Sequence, residues 1–217
     1  MEKLSVLDLG LKDYQQCWVF QERLVKRRIY SQMEDSLILV EHFPVITLGR
    51  QGKEEDILAS PEFLRQKKIS LFRINRGGRV TFHGPGQLVV YPILDLSLDQ
   101  KDIHQYIRNL EIVVIKSLGK LGIEGRSISG YTGVWVGKKK IASIGIGVKR
   151  WITYHGLSLN VNIDLSYFSL INPCGLYEND MTSLAEILGP EVKMDSVKNL
   201  FVNSFCEVFL RIPYSWS

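Results

Sequence analysis

The 217 residues hold three cysteines, seven prolines and four histidines, and each scarcity removes a class of protein. Cys17, Cys174 and Cys206 are an odd number at wide spacing with no CxxC pair. That argues against a disulfide framework and against a zinc ribbon, and it fits a reducing cytoplasm. No stretch approaches the roughly 18 continuous apolar residues of a membrane span. The start, "MEKLSVLDLGLKDYQQ", lacks a basic leader followed by an apolar run, so a cytoplasmic protein with no membrane partner is expected. No repeat or low-complexity tract appears, which removes solenoids and disordered linkers. GxxxxGK[ST] and HExxH are both missing, and "GRQGKE" and "GIGVKR" do not satisfy GxGxxG in a strand-to-helix setting, so neither phosphate cradling nor zinc hydrolysis is indicated. His42, His83, His104 and His155 lie far apart, and no metal site is expected from them.

What is present is ample core material. Hydrophobic residues make up 45% of the chain and charged residues 23%, which suits one soluble domain spanning residues 1–217. The net charge of +4 is spread along the chain, and its densest cluster, "GKKK", is short, so acidic proteins or small anions are as suitable as partners as nucleic acid. The segment "DYQQCWVFQERLVKRRIYSQ" spaces Tyr14, Trp18, Val25 and Ile29 as a helix, and "DIHQYIRNLEIVVIKSLGKLG" does so with Ile103, Ile107, Leu110, Val114, Leu118 and Leu121. "DSVKNLFVNSFCEVFL" predicts a third helix with Asp195 as its cap, and "SPEF" a shorter one with proline at its first position. "SLILVEHFPVITLG" reads as two strand pieces broken at Phe43–Pro44. "VWV" and "IASIGIGV" flanking "GKKK" predict a hairpin in which Lys140 enters the second strand. "GLSLNVNIDL" alternates apolar and polar residues from Leu157 to Leu165 and predicts a half-buried strand. Grouped strands with interspersed helices, and no regular βαβ alternation, give an α+β domain whose sheet is mixed or mostly antiparallel.

Chemistry concentrates at the glycines. "NRGGRVTFHGPGQLVVYP" sets Gly77, Gly78, Gly84 and Gly86 around Arg76, Thr81 and His83, so backbone can approach a ligand while a cation, a hydroxyl and an imidazole project beside it. Tight turns flanking a strand explain the same glycines. Gly145 and Gly147 inside a good strand imply that something bulky lies against that face, either backbone or ligand. Cys17 and Cys206 fall in helical stripes and read as small buried hydrophobes. Cys174 differs, because Pro173 and Gly175 in "INPCGL" hold it on a bend before "TSLAEIL", whose Ser183 and Glu186 resemble a capping box. A thiol near pKa 8.5 needs about 2 kcal/mol of anion stabilisation to titrate near 7. One ammonium about 4 Å away supplies that at an effective dielectric near 20. His83, His155 and a lysine of "GKKK" are the candidates, and spacing does not choose among them.

"RGGRVTFHGPGQLVVYP", "GKKKIASIGIGV", "HGLSLNVNIDL" and "INPCGL" resemble, in order, the blocks of the lipoyl(octanoyl) transferases, and "LVEHFPVITLGR" is similar to an earlier block. The resemblance implies the α+β catalytic domain shared with lipoate and biotin ligases. It implies an acyltransferase that moves an octanoyl group from octanoyl-acyl carrier protein to a lysine of apo lipoyl domains, those of 2-oxoacid dehydrogenase complexes and of the glycine cleavage H protein, without a cofactor or nucleic acid. Cys174 matches the acyl-thioester nucleophile and Lys140 the lysine that lowers its pKa. The substrate-binding positions would be Arg76, Gly77, Gly78, Arg79, Val80, Thr81, Phe82 and His83, then Ser143, Ile144 and Gly145, then Gly156, Leu157 and Ser158. Thioester exchange is nearly isoenergetic and aminolysis is downhill, so the missing nucleotide motif agrees with that chemistry. The rivals are an ATP-dependent lipoate or biotin ligase of the same fold, which has no need of Cys174, a noncatalytic acyl-binding module, and a cysteine hydrolase or amidase.

Overall fold

The computed structural model describes residues 2–98, 101–172, 180–190 and 192–215. Eight strands, β1 (Glu2–Lys12), β2 (Asp35–His42), β6 (Gln87–Ile93), β7 (Gly125–Ile128), β8 (Tyr131–Val136), β9 (Lys139–Lys149), β10 (Ile152–Asn160) and β11 (Arg211–Ser215), form a main sheet in the order β11-β1-β2-β6-β10-β9-β8-β7. β1 runs parallel to both β11 and β2, and every later pairing is antiparallel. A second sheet, β4 (Ser70–Arg73), β3 (Val45–Leu48) and β5 (Val80–His83), lies beside it with β3 central. The break at Phe43–Pro44 is therefore the point where the chain leaves one sheet for the other. The α+β class with a mixed sheet is as the sequence predicts.

β2 and β6 read as continuous apolar runs because both faces of the main sheet are covered. Successive side chains point to opposite faces. Leu37, Leu39, Leu88 and Val90 meet Leu110, Val114 and Leu118 of α3 (Ile103–Gly119) and Phe201 and Phe205 of α5 (Met194–Phe209). Ile38, Val40, Val89 and Tyr91 meet Cys17, Leu24 and Val25 of α1 (Tyr14–Ile29). A separate core under the small sheet joins Ile46, Leu48, Val80 and Phe82 to Ile163 and Phe168, with Leu64 of α2 (Pro61–Gln66). No helix among the described residues is long and apolar enough to cross a membrane.

Several expectations change. β10 is buried along its whole length, not on one face, because its polar residues point into a hydrogen-bonded interior rather than to water. It also stops at Asn160. Val161 then joins the main core and Ile163 the small one, where the chain turns toward a 3-10 helix at Leu165–Leu170. α5 is capped at Lys193 without a side-chain bond, and Asp195 lies one turn-position inside, where its charge faces the helix's positive end. α4 (Leu184–Leu188) has half of the expected box: Ser183 Oγ accepts from the Glu186 amide at 3.1 Å, but the Glu186 carboxylate is drawn away to Lys139 at 2.6 Å and Thr182 at 2.8 Å. Cys17 is buried and Cys206 half-buried. Burial raises both thiol pKa values, that of Cys17 to about 12.

Candidate active site

The segment after Leu48 is strapped onto the glycine-rich loop. The amides of Gly49, Arg50 and Gln51 donate to the carbonyls of Arg79, Arg76 and Gly78 at 2.6, 3.0 and 3.2 Å. The Arg76 guanidinium turns inward and donates to Thr47 carbonyl and hydroxyl oxygens at 2.8 and 2.9 Å. Gly77 then donates to the Ile146 carbonyl at 2.8 Å, which couples the loop to β9. A methyl at Gly145 would stand 2.9 Å from the Gly77 carbonyl oxygen, so glycine is what lets the loop close on the strand. The bulky neighbour predicted for this strand is thus the protein's own backbone. At Gly147 it is the ring of Tyr154, which comes within 2.4 Å of where a methyl would be.

A cavity of about 510 Å³ opens between the two sheets. Its wall includes residues 76–81 and His83 from the small-sheet side, Lys140 and residues 143–145 from β9, and residues 156–158 from β10. Of the residues proposed from sequence for substrate or catalysis, only Phe82 among the described ones faces elsewhere. It stacks on Tyr167 at 4.7 Å in the small-sheet core, on the opposite face of β5 from Thr81 and His83, whereas Val80 on the same face joins that core and still reaches the cavity. Cys174 lies outside the described residues. The segment before it is anchored, because the Asn172 amide donates to the Asp56 carbonyl at 2.8 Å and Ile171 bridges Ile57. Asp56 itself holds Arg79, whose Nε lies 3.2 Å away. Burial presses the Asp56 carboxyl pKa upward, but the bonds from Arg79 and the Lys53 amide outweigh it and leave it below the usual carboxylate range. Beyond the segment, Met181 bridges Lys140 and Thr182 donates to the Lys140 carbonyl at 3.0 Å.

Lys140 leaves the "GKKK" turn as expected and enters β9. Its Nζ sits 4.9 Å from the centroid of Trp135, and Gly133 opposite leaves the space its side chain occupies. The histidines are of another kind. Burial drives the His83 pKa down to about 3, with the neighbouring His42 adding to it, and burial with Arg76 and Arg50 does the same for His155. Both imidazoles are neutral at ordinary pH. Of the three cation candidates, the two imidazoles are thereby excluded, which leaves the lysine of the hairpin on this wall.

Sequence reasoning missed part of the wall. Tyr14 and Tyr91 line it, and Tyr14 stacks on His83 with ring centroids 6.3 Å apart. Tyr14 had a helical stripe to explain it, and a core tyrosine and a cavity tyrosine look alike at that spacing. His155 adopts φ +54° within β10, a strained conformation for a side-chain-bearing residue beside the cavity, and nothing in "YHGLS" announces it.

The model of the lipoyl protein ligase A/B catalytic domain matches residues 13–206. An octanoyltransferase of Caldicellulosiruptor saccharolyticus is 48% identical over 209 residues, covering 95% of this chain and 89% of the relative. Among solved structures, a putative lipoate protein ligase from T. acidophilum superposes with TM-score 0.79 at 19% identity, over 100% of this chain and 88% of that one. A biotin protein ligase from Aquifex aeolicus does so with TM-score 0.54 at 16% identity, over 97% and 70%. The chain belongs to the lipoyl protein ligase A/B catalytic-domain family.

Proposed function

We propose that this chain is an octanoyltransferase, moving an octanoyl group from octanoyl-acyl carrier protein to a lysine of apo lipoyl domains through a thioester on Cys174. One observation carries the reading: a cavity between two sheets whose wall combines Lys140 with neutral imidazoles and with the bare backbone of Gly77, Gly145 and Gly156. The name of the 48%-identical relative agrees with it.

The Cys174 thiolate, held ionised by the Lys140 ammonium, attacks the donor's thioester carbon. The tetrahedral intermediate collapses, the Lys140 ammonium gives its proton to the departing carrier thiolate, and the acyl group is left on Cys174 beside a Lys140 that is now a neutral amine. The incoming lysine amine attacks that carbonyl, its proton passes to Lys140, and the Cys174 thiolate leaves. The cavity's 510 Å³ is of the size that encloses a small ligand, and residues 76–83, 143–145 and 156–158 would shape its walls. The whole chain acts as one catalytic domain in the cytoplasm, with the donor carrier and the lipoyl domains of dehydrogenase complexes and glycine cleavage H protein as partners.

Intact-mass measurement after mixing with octanoyl-acyl carrier protein should show one octanoyl adduct on Cys174, which vanishes onto apo lipoyl domain when that is added. Cys174→Ala should form no adduct and transfer nothing. Retained transfer by Cys174→Ala, with ATP and free octanoate or without, would defeat the proposal.

A further inference from the structure

A line of buried amides ends in the cavity. The Thr182 carbonyl accepts from Asn160 Nδ2 at 2.9 Å, and Asn160 Oδ1 accepts from Gln87 Nε2, also at 2.9 Å. Gln87 Nε2 donates again to the Phe82 carbonyl at 3.3 Å, and Gln87 Oε1 lies 2.7 Å from His83 Nδ1. The direction of this line is fixed at its far end, because a backbone carbonyl can only accept. Asn160 must turn its NH2 to Thr182 and its oxygen to Gln87, and Gln87 must turn its oxygen to His83. His83 Nδ1 therefore carries the proton, and Nε2 is left with a lone pair.

The neighbouring histidine shows what a purely structural imidazole looks like in this protein. His42, with its ring centroid 6.0 Å from that of His83, uses both nitrogens: Nδ1 meets the Lys12 carbonyl at 2.9 Å and Nε2 the Tyr91 hydroxyl at 2.8 Å. His83 engages only Nδ1 among the described residues, and it lines the cavity. Among the described residues, the rings and charges beside it are Tyr14 stacked on its face, His42 at its edge, and Arg76 and His155 nearby. None is a carboxylate that would favour an imidazolium.

An acceptor in the cavity calls for a donor. Among the reactants the thioester carbonyl, its sulfur and the thiolate all accept, and only the attacking amine brings N–H bonds. We propose that Gln87 and Asn160 are positioning residues that lock His83 in its Nδ1–H form, so that the bare Nε2 receives an N–H of the incoming lysine and turns its lone pair toward the acyl carbonyl. This rests on the octanoyl transfer proposed above. His83 then touches the substrate, while Lys140 takes the proton.

The test begins on the wild-type protein with 15N-labelled histidine. Its two-bond nitrogen–proton spectrum should show His83 with Nδ1 protonated and Nε2 bare. Gln87→Leu should yield a mixed or inverted tautomer. It should also slow the passage of the acyl group from the preformed adduct to the lipoyl domain by about tenfold, the worth of one hydrogen bond, beyond any change in adduct formation. Gln87→Glu keeps an acceptor on Nδ1–H but raises the imidazole pKa, so the second half-reaction should gain an acid limb in its pH profile as Nε2 protonates. A protonated Nε2 in the wild type overturns the proposal, as do equal losses in both half-reactions for Gln87→Leu or an unchanged profile for Gln87→Glu. Absence of any adduct on the wild type would instead defeat the transferase reading itself, whatever the tautomer.

Discussion

Gly133 lies opposite the Lys140 side chain with φ +140°. A methyl there would stand 2.6 Å from Lys140 Cε and 2.6 Å from the Ala142 carbonyl oxygen. The carbonyl belongs to a paired strand, so the backbone at Gly133 must shift to clear it, and the lysine stem must move as well. Displacing a reacting group by about an ångström costs roughly 100-fold in rate, and the backbone strain of a non-glycine residue at positive φ adds about 1–2 kcal/mol of destabilisation. Gly133→Ala should therefore fold with clearly reduced stability, and its folded fraction should lose most of its single-turnover transfer rate. A rate within twofold of wild type would show that the lysine's position is not what Gly133 protects. The sequence displays that glycines cluster near the chemistry, but not what each one admits. Gly145 admits a carbonyl, Gly147 a tyrosine ring and Gly133 a lysine stem, and those neighbours are remote in sequence.

Among elements, the central pin is Asp35 at the start of β2. Its carboxylate accepts from Arg28 Nε of α1 at 2.9 Å, from Arg211 Nε of β11 at 3.1 Å and from the Asp95 amide at 3.0 Å. All three side chains are buried, so removing the carboxylate takes the shared partner from two guanidiniums held away from water, Arg28 keeping Asp95 at 3.5 Å, and breaking such a buried pair costs about 3–5 kcal/mol. Asp35→Ala should lower the unfolding free energy in urea by that amount, and the folded fraction should still form the acyl adduct. A loss below about 1 kcal/mol would mean that water reaches the arginines. This pin joins the parts of the fold that sequence reading did not find. The stripes of α1, α3 and α5 are visible because each helix buries one continuous face. β1 and β11 are not, since they pair in parallel with partners remote along the chain, Glu2 with Arg211 and Leu4 with Asp35, and Pro213 reads as a break although an edge strand tolerates it. The β9–β10 turn is hidden for a related reason: Arg150 and Trp151 both take positive φ where Asn-Gly would have announced a two-residue hairpin.

At the scale of the molecule, the buried histidines between the sheets set how the protein responds to acid. His42, His83 and His155 are held neutral there chiefly by burial, with pKa values near 4, 3 and 3. The unfolded chain titrates its histidines near 6.5. As pH falls through that value the unfolded state takes up protons and the native state does not, so stability is full above about pH 6.5 and is lost steadily below it. Each such histidine contributes about 1.4 kcal/mol per pH unit, and three together about 4. The carboxylates held below their ordinary range, Asp56 and Glu186, give up their stabilisation only below about pH 4–5, so the window from pH 6.5 to 5 belongs to the imidazoles. Urea melts at pH 7, 6 and 5 should show a midpoint that falls at each step, with loss of octanoyl transfer tracking the loss of folded protein rather than preceding it. A midpoint that stays level from pH 7 to 5 would mean that the three rings titrate in the native state as they do in the unfolded chain, so burial would not be holding His83 neutral.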